Sequence, residues 1–372
     1  MKICFFSLSA YPLFKSGHQA VFGGSELQLS IVAEHLASRH EISFIVADFG
    51  QADTERIGDY TFIKSIRLGG YLSPWFRVKS LFILIKALYR TDADIFITSA
   101  AGPEVGVIAL FCKVLRKRFI YRTASSIDCD GEYIRKNGFR GKLFKFGLEH
   151  ADVIIAQSKE NEALLKKHYG IDAVLIKNAF AIHEHDETGI VSESEKKGIL
   201  WVGRMEPNKR PETYLKLAKK FPRERFVMIA PKQNHLVEYF EMAFNKAQSM
   251  ENVQFIERVP FDKIQEYFNK ARLLVCTSEY EGFPNVHLQS CIGGTPVVTL
   301  NINPDNYITK NNIGYCADSV FEKMIDQIET LLNDEGDWKK KSTNAFRYAK
   351  ENHDINIVGK QWEELLYSLA RN

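Results

Sequence analysis

The chain has 372 residues, 45% of them hydrophobic and 26% charged, with a formal net charge of +3. That length predicts two domains, each with its own core, and the composition is that of an ordinary globular protein. No run approaches 18 consecutive apolar residues, which excludes a transmembrane helix.

The ten histidines show no HExxH or His/Cys metal spacing, so no protein-held metal is expected. The six cysteines, at 4, 112, 129, 276, 291 and 316, form no CxxC pair. They read as buried small hydrophobes in a reducing, cytoplasmic setting.

In chain order, the opening MKICFFSLSAYPLF reads as a first strand over 2–8 rather than a signal peptide. Its apolar run is short, and no small-residue cleavage site follows. Further strands are predicted over 41–46, 94–98, 118–121 and 152–157, then over 198–203, 226–230, 253–256, 273–277 and 296–299. The segments between them read as helices. Tyr214, Leu217, Ala218 and Phe221, for example, share one helical face. This alternation predicts an α/β architecture of parallel sheets covered by helices on both faces. The stretch 183–197, HEHDETGIVSESEKK, is polar and charge-dense and reads as a linker. It divides the chain into two Rossmann-like, doubly wound halves, 1–182 and 183–355, with a ligand cleft expected between them. A last helix near 355–369 places Val358, Trp362, Leu365 and Leu366 on one face.

Charge is uneven. Residues 1–180 carry a balance of +6 and the remainder −3. Within 111–146 there are 10 basic and 3 acidic residues, interleaved with Phe119, Tyr121, Tyr133, Phe139, Phe144 and Phe146. The segment is either a solvated helix face or a surface for an anionic membrane or anionic acceptor. Nucleic acid is disfavoured, because no RNA- or DNA-binding signature accompanies it.

Three loops have the character of diphosphate sites. In VFGGSELQL, Gly23 and Gly24 allow φ > 0 and close backbone approach before a helix starting near Ser25. The alternative is a plain tight turn with Ser25 as N-cap. The loop is not GxGxxG, which disfavours a nicotinamide-nucleotide fingerprint and with it a dehydrogenase. In LWVGRMEPNKRPE, a strand ends at Gly203, and Arg204 and Lys209 precede a helix opened by Pro211. Such a cation pair brackets a diphosphate, or else is simply solvated. In CTSEYEGFPNVHLQSCIGGTPVV, Glu281 follows a strand and GFPN turns into a helix starting near Asn285 or Val286. A carboxylate there repels phosphate, so Glu281 is assigned to sugar hydroxyls. Gln289 lies about two helical turns beyond it on the same face, and Gly293 and Gly294 close the helix.

The combination resembles the retaining glycosyltransferases of the GT-B fold, family 4. SEYEGFPNVHLQS is similar to that family's E-x7-E signature, VGRMEPNKRPE to its diphosphate loop, FGGSE to its Gly-Gly-x-Glu, and ADVIIAQSKENEALL to the segment before its domain crossover. The resemblance implies that Arg204 and Lys209 bind the donor diphosphate and stabilise the leaving charge. It implies that Glu281 holds donor-sugar hydroxyls. Gly203, Gly282, Phe283, Pro284, Asn285, Val286 and Gln289 would complete the donor site, with Gly23 and Gly24 approaching the phosphate from the N-terminal, acceptor-binding domain. A C-terminal helix of about 356–372 would cross back onto that domain. Two departures stand out: Gln289 replaces the signature's second acid, and RTASSIDCDGEY lacks the histidine often found there. Asp128 and Asp130 are candidates for acceptor contact or for loop capping.

The implied activity is metal-independent transfer, with retention, from a nucleotide-diphosphate sugar, UDP favoured on family grounds. The acceptor would be a glycan or lipid-linked glycan in surface-polysaccharide assembly. No cofactor is expected beyond the nucleotide-sugar co-substrate. The protein would sit in the cytoplasm or peripherally on the inner face of the cytoplasmic membrane. A sugar-nucleotide epimerase on the same fold and a non-catalytic nucleotide-sugar-binding module remain the competing readings.

Overall fold

The computed structural model describes residues 1–15, 22–68, 74–182, 195–233 and 236–371, with the side chains of 74–77 excepted. Residues 183–194 of the expected linker therefore lie outside the described residues. The chain divides into two compact units, one made of Met1–Ala179 with Ile355–Asn372 and the other of Phe180–Asp354.

In the first unit the strands are β1 (Lys2–Phe6), β2 (Glu41–Val46), β3 (Thr54–Ile57), β4 (Tyr60–Lys64), β5 (Ile95–Ser99), β6 (Arg118–Arg122), β7 (Val153–Ala156) and β8 (Val174–Leu175). They pair in the order β3-β4-β2-β1-β5-β6-β7-β8, parallel throughout except at β3–β4. Its helices are α1 (Tyr11–Phe14), α2 (Gly24–Ala37), α3 (Pro74–Thr91), α4 (Pro103–Leu115), α5 (Glu132–Lys136), α6 (Gly138–Glu149) and α7 (Lys159–Tyr169). In the second unit β9 (Ile199–Val202), β10 (Phe226–Ile229), β11 (Val253–Ile256), β12 (Leu273–Cys276), β13 (Val297–Thr299) and β14 (Gly314–Cys316) form an all-parallel sheet in the order β11-β10-β9-β12-β13-β14. The helices there are α8 (Pro211–Lys220), α9 (Val237–Gln248), α10 (Phe261–Lys270), α11 (Asn285–Ile292), α12 (Tyr307–Lys310), α13 (Phe321–Asn333) and α14 (Glu335–His353). The last helix, α15 (Ile355–Arg371), belongs to the first unit.

Strand alternation builds the layers. Along β1, Ile3 and Phe5 face α2 and α15, where Leu29, Val32, Val358, Trp362 and Leu366 are buried. Cys4 and Phe6 face the opposite side, where α3, α4 and α6 contribute Leu84, Ile108 and Phe144. Each large side chain so buried contributes about 1.5–3 kcal/mol. Helices α4 and α6 touch backbone to backbone: a Cβ on Gly106 would lie 2.3 Å from the Leu143 carbonyl oxygen, and one on Gly147 would meet Val105 at 2.7 Å. All six cysteines are free and buried.

Four strands were not expected from sequence. β3 and β4 form a short, half-polar hairpin pivoting at Gly58, which takes φ 57. β8 has only two residues. β14 begins with a glycine, normally an argument against a strand. Here Gly314 lies so close to β13 that a Cβ would sit 1.9 Å from the Val297 oxygen. The linker reading also fails at its end. Lys196 is buried, donating to the carbonyls of Asn269 and Gly293 and to Thr295 Oγ1 at 2.7–2.8 Å.

Candidate active site

Parallel strands deliver their following loops to one edge of the sheet, and β9 and β12 are neighbours in the second unit. The chain leaves β9 at Val202, passes Gly203 and Arg204, makes a 3-10 turn at Pro207–Lys209, and enters α8 at Pro211. Gly203 packs tightly: a Cβ there would lie 3.0 Å from the Trp201 ring. Arg210 caps α8 in the left-handed region, φ 49. The chain leaves β12 at Cys276 and starts α11 at Asn285.

The two loops are stitched together. Glu279 N–H donates to the Asn208 carbonyl at 2.7 Å. Thr277 Oγ1 donates to the Lys209 carbonyl at 2.6 Å and accepts from Trp201 Nε1 at 2.9 Å. Lys209 Nζ forms an ion pair with Glu281 Oε1, and both side chains are 17% exposed. Ser278 Oγ donates to the same carboxylate oxygen at 2.8 Å. Arg210 pairs with Glu279 at 3.2 Å. Arg204 pairs with Glu206 at 3.2 Å and keeps 45% of its side chain exposed. Each cation of the first loop is thus matched by a nearby acid. Only the Lys209–Glu281 pair is largely shielded from water, where charge interactions are strongest.

Behind this pair the α11 loop rests on aromatic side chains. Phe283 packs on Tyr307 and His353 with ring centroids 4.7 and 5.1 Å apart. His287, fully buried in α11, shares a hydrogen bond with the Tyr307 hydroxyl through Nδ1. Its Nε2 is buried without a partner among the described residues. Burial, with the Lys209 ammonium adding to it, pushes His287 down to about 3, so the imidazole is neutral at physiological pH. Pro284, at the N-cap of α11, supplies no side-chain acceptor to the first-turn amides.

The two halves match two family descriptions: "Glycosyltransferase Family 4" over residues 22–182 and "Glycosyl transferases group 1" over residues 184–353. The chain belongs to the family 4 glycosyltransferases. A Campylobacter jejuni GalNAc-alpha-(1->4)-GalNAc-alpha-(1->3)-diNAcBac-PP-undecaprenol alpha-1,4-N-acetyl-D-galactosaminyltransferase is 24% identical over 357 residues, covering 92% of this chain and 95% of the relative. Among solved structures, sucrose-phosphate synthase from Thermosynechococcus elongatus superposes with TM-score 0.77 at 17% identity over 99% of both chains. HepE from Anabaena, in complex with UDP and glucose, gives TM-score 0.75 at 16% identity over 99% of this chain and 100% of that one. The fold is GT-B, with two Rossmann-like doubly wound domains.

In this glycosyltransferase the residues expected to hold a donor fall into two groups. Gly203, Arg204, Lys209 and the segment from Glu281 to Val286 come together at the joined loops. Gln289 lies on α11 and is 6% exposed, with its backbone carbonyl accepting from Gln265 Nε2 at 2.9 Å. Gly23 and Gly24 belong to the other unit, and the reason given for them needs correction. Neither takes φ > 0; Gly23 is extended, φ −100, and serves as the N-cap of α2 in place of Ser25. Its N–H is taken by Glu26 Oε2 at 3.0 Å, so the N-cap amide is already occupied by the helix's own carboxylate.

Asp128 is buried and caps its loop. It accepts from Tyr121 Oη at 3.0 Å and from the Ala124 N–H at 2.6 Å. Burial pushes its carboxyl up to about 6. Asp130 accepts from the Glu132 N–H at 2.7 Å. The aromatic residues of 111–146 are largely core: Phe119, Tyr121 and Phe144 are fully buried, and Phe139 is exposed. Sequence reading missed His287, because one histidine on an apolar helix face carries no spacing signal. It also missed the ion pair between Lys209 and Glu281, which depends on β9 and β12 being adjacent.

Proposed function

We propose that this protein transfers a sugar, with retention and without a metal ion, from a UDP-sugar to a lipid-linked glycan. The observation that carries the reading is the pairing of Lys209 with Glu281 across two joined loops. It places a cation suited to a diphosphate beside an acid suited to the sugar attached to it. Support for UDP comes from HepE, whose solved complexes hold UDP and UDP-glucose. Support for the acceptor comes from the Campylobacter relative, whose name specifies an undecaprenol-linked glycan.

The chemistry follows from charge. As the bond between the anomeric carbon and the phosphate oxygen breaks, positive charge grows on the sugar and negative charge on the diphosphate. Arg204, Lys209 and the first-turn amides of α11 stabilise the latter; removing one such donor raises a barrier by about 3–4 kcal/mol. Glu281 exchanges part of its bond to Lys209 for hydrogen bonds from sugar hydroxyls. The acceptor hydroxyl attacks from the face the diphosphate leaves and gives its proton to the departing phosphate oxygen. Retention of configuration follows.

A lipid-linked acceptor requires approach to a membrane. No helix of the described residues is long and apolar enough to cross one. The first unit instead exposes Val78, Leu81, Phe82 and Tyr89 on α3, Leu110 and Val114 on α4, and Phe139 on α6. Lys79, Lys86, Lys113, Arg116, Arg140, Lys142 and Lys145 are exposed on and around the same helices. Exposed apolar side chains with cations on and around the same helices suit an anionic bilayer surface. The function is tested by incubating the purified protein with a panel of nucleotide sugars and a bacterial lipid extract, followed by mass spectrometry. A mass gain of one sugar on a lipid-linked glycan, dependent on Arg204 and Glu281, is expected; near-normal transfer by Arg204→Ala or Glu281→Ala would show that the site is misplaced.

A further inference from the structure

The first unit holds a buried cation that the proposed donor site does not use. Arg122 is the last residue of β6 and is 1% exposed. Its neighbours Phe119 and Tyr121 pack toward α4 and α6, so alternation turns Ile120 and Arg122 to the α2 face. Arg122 Nη2 donates to Asn178 Oδ1. Gln28 of α2 fixes the next residue, accepting from the Ala179 N–H at 2.8 Å and donating to its carbonyl at 3.0 Å. The guanidinium is therefore held in place by a clamped turn. Its Nε and Nη1 are buried and have no hydrogen-bond partner among the described residues.

Ser99 ends β5 directly opposite Arg122 in the sheet register, and so on the same face. Its hydroxyl is also buried without a partner among the described residues. The next residue, Ala100, takes φ 72, a left-handed conformation that is strained for a residue with a side chain. Residues 99–101 are partly exposed, so the rim of this cluster reaches solvent. Both residues stand at the carboxyl edge of a parallel sheet, where such folds bind ligands. Burial draws the Arg122 guanidinium down to about 10, so it keeps its charge at neutral pH. A buried charge without a counter-ion is costly, and a bound anion removes that cost.

We infer that Arg122 and Ser99 form an anion site in the first unit that takes a phosphoryl group of a substrate. The inference rests on the proposed transfer chemistry, in which both the UDP-sugar and the lipid-linked acceptor carry diphosphates. Titration calorimetry of the full chain with geranyl diphosphate and with UDP tests it, using wild type, Arg122→Met and Ser99→Ala. Arg122→Met removes the charge at similar volume and weakens at least one compound tenfold or more; Ser99→Ala weakens the same compound a few-fold. Loss confined to geranyl diphosphate assigns the site to the acceptor, and loss confined to UDP assigns it to the donor. Should Arg122→Met fail to fold, Ser99→Ala and Arg122→Lys carry the same titrations. Unchanged affinities for both compounds overturn the inference. Loss of transfer in Lys209→Ala with unchanged binding in Arg122→Met sinks this inference alone. Weakened phosphate binding in Arg122→Met by a protein that transfers no sugar sinks only the proposed function.

Discussion

Lys209→Met cuts the ion pair that joins the two loops of the candidate site. Both partners are 17% exposed. The interaction therefore lies between an exposed bridge, worth about 0–1 kcal/mol, and a buried one whose breaking costs about 3–5 kcal/mol. Glu281 keeps the Ser278 hydroxyl after the change, which places the loss near 2 kcal/mol. For a unit of this size that lowers the melting temperature by about 4–8 °C. Turnover should fall by about 10²–10³, the effect of losing one donor to a developing anion. The double variant Lys209→Met/Glu281→Leu removes both charges, so no orphan remains. Its melting temperature should return to within about 2 °C of wild type, as neighbouring substitutions that share one interaction are not additive, while its turnover stays low. Calorimetry and a radiolabelled-sugar transfer assay read the two quantities. Additive loss of stability in the double variant, or turnover near wild type in Lys209→Met, would refute the reasoning.

EDTA should leave transfer unchanged if, as proposed, Arg204, Lys209 and helix-start amides supply the charge stabilisation; a tenfold loss restored by Mg2+ would contradict this. Asp128 should give stability a distinct pH dependence, because its carboxyl is raised from 3.8 to about 6 by burial. Between those values the folded state binds more protons than the unfolded state, so this contribution is complete below about pH 4 and lost as pH rises through 6. Asp128→Asn should abolish that component of the melting-temperature profile, and identical profiles for both proteins would disprove it. Phe82→Ser combined with Phe139→Ser should weaken co-sedimentation with anionic vesicles at low salt by tenfold or more; wild-type protein that stays in the supernatant would remove the membrane proposal.

The sequence shows its strands best where apolar, β-branched runs are buried on both faces. β2, buried along most of its length, has the bounds expected, as does the partly exposed edge strand β11, and the other predicted strands shift by only a residue or two at their ends. It hides strands whose pairing depends on distant backbone, such as β14, where Gly314 serves close approach rather than a turn. The two loops of the candidate site were legible because glycine, proline and charged residues recur at strand ends. Their contact was not, since it depends on which strands become neighbours. Aromatic residues in 111–146 misled for a related reason: Phe119 and Tyr121 lie on β6, which is buried on both faces, whereas Phe139 lies in the exposed first turn of α6, and composition cannot tell these positions apart. Arg122 gave no signal at all, because an arginine at a strand end is ordinarily solvated; only its burial beside Ser99 sets it apart.

The central claim is that the loops around residues 204 and 281 grip one activated sugar. A crystal structure of the protein soaked with UDP tests this most directly. The account predicts a β-phosphate within hydrogen-bonding reach, about 2.7–3.0 Å, of Lys209 Nζ and the Arg204 guanidinium, with Glu281 turned toward the vacant sugar position. UDP bound elsewhere, with the Lys209–Glu281 pair undisturbed, would contradict it.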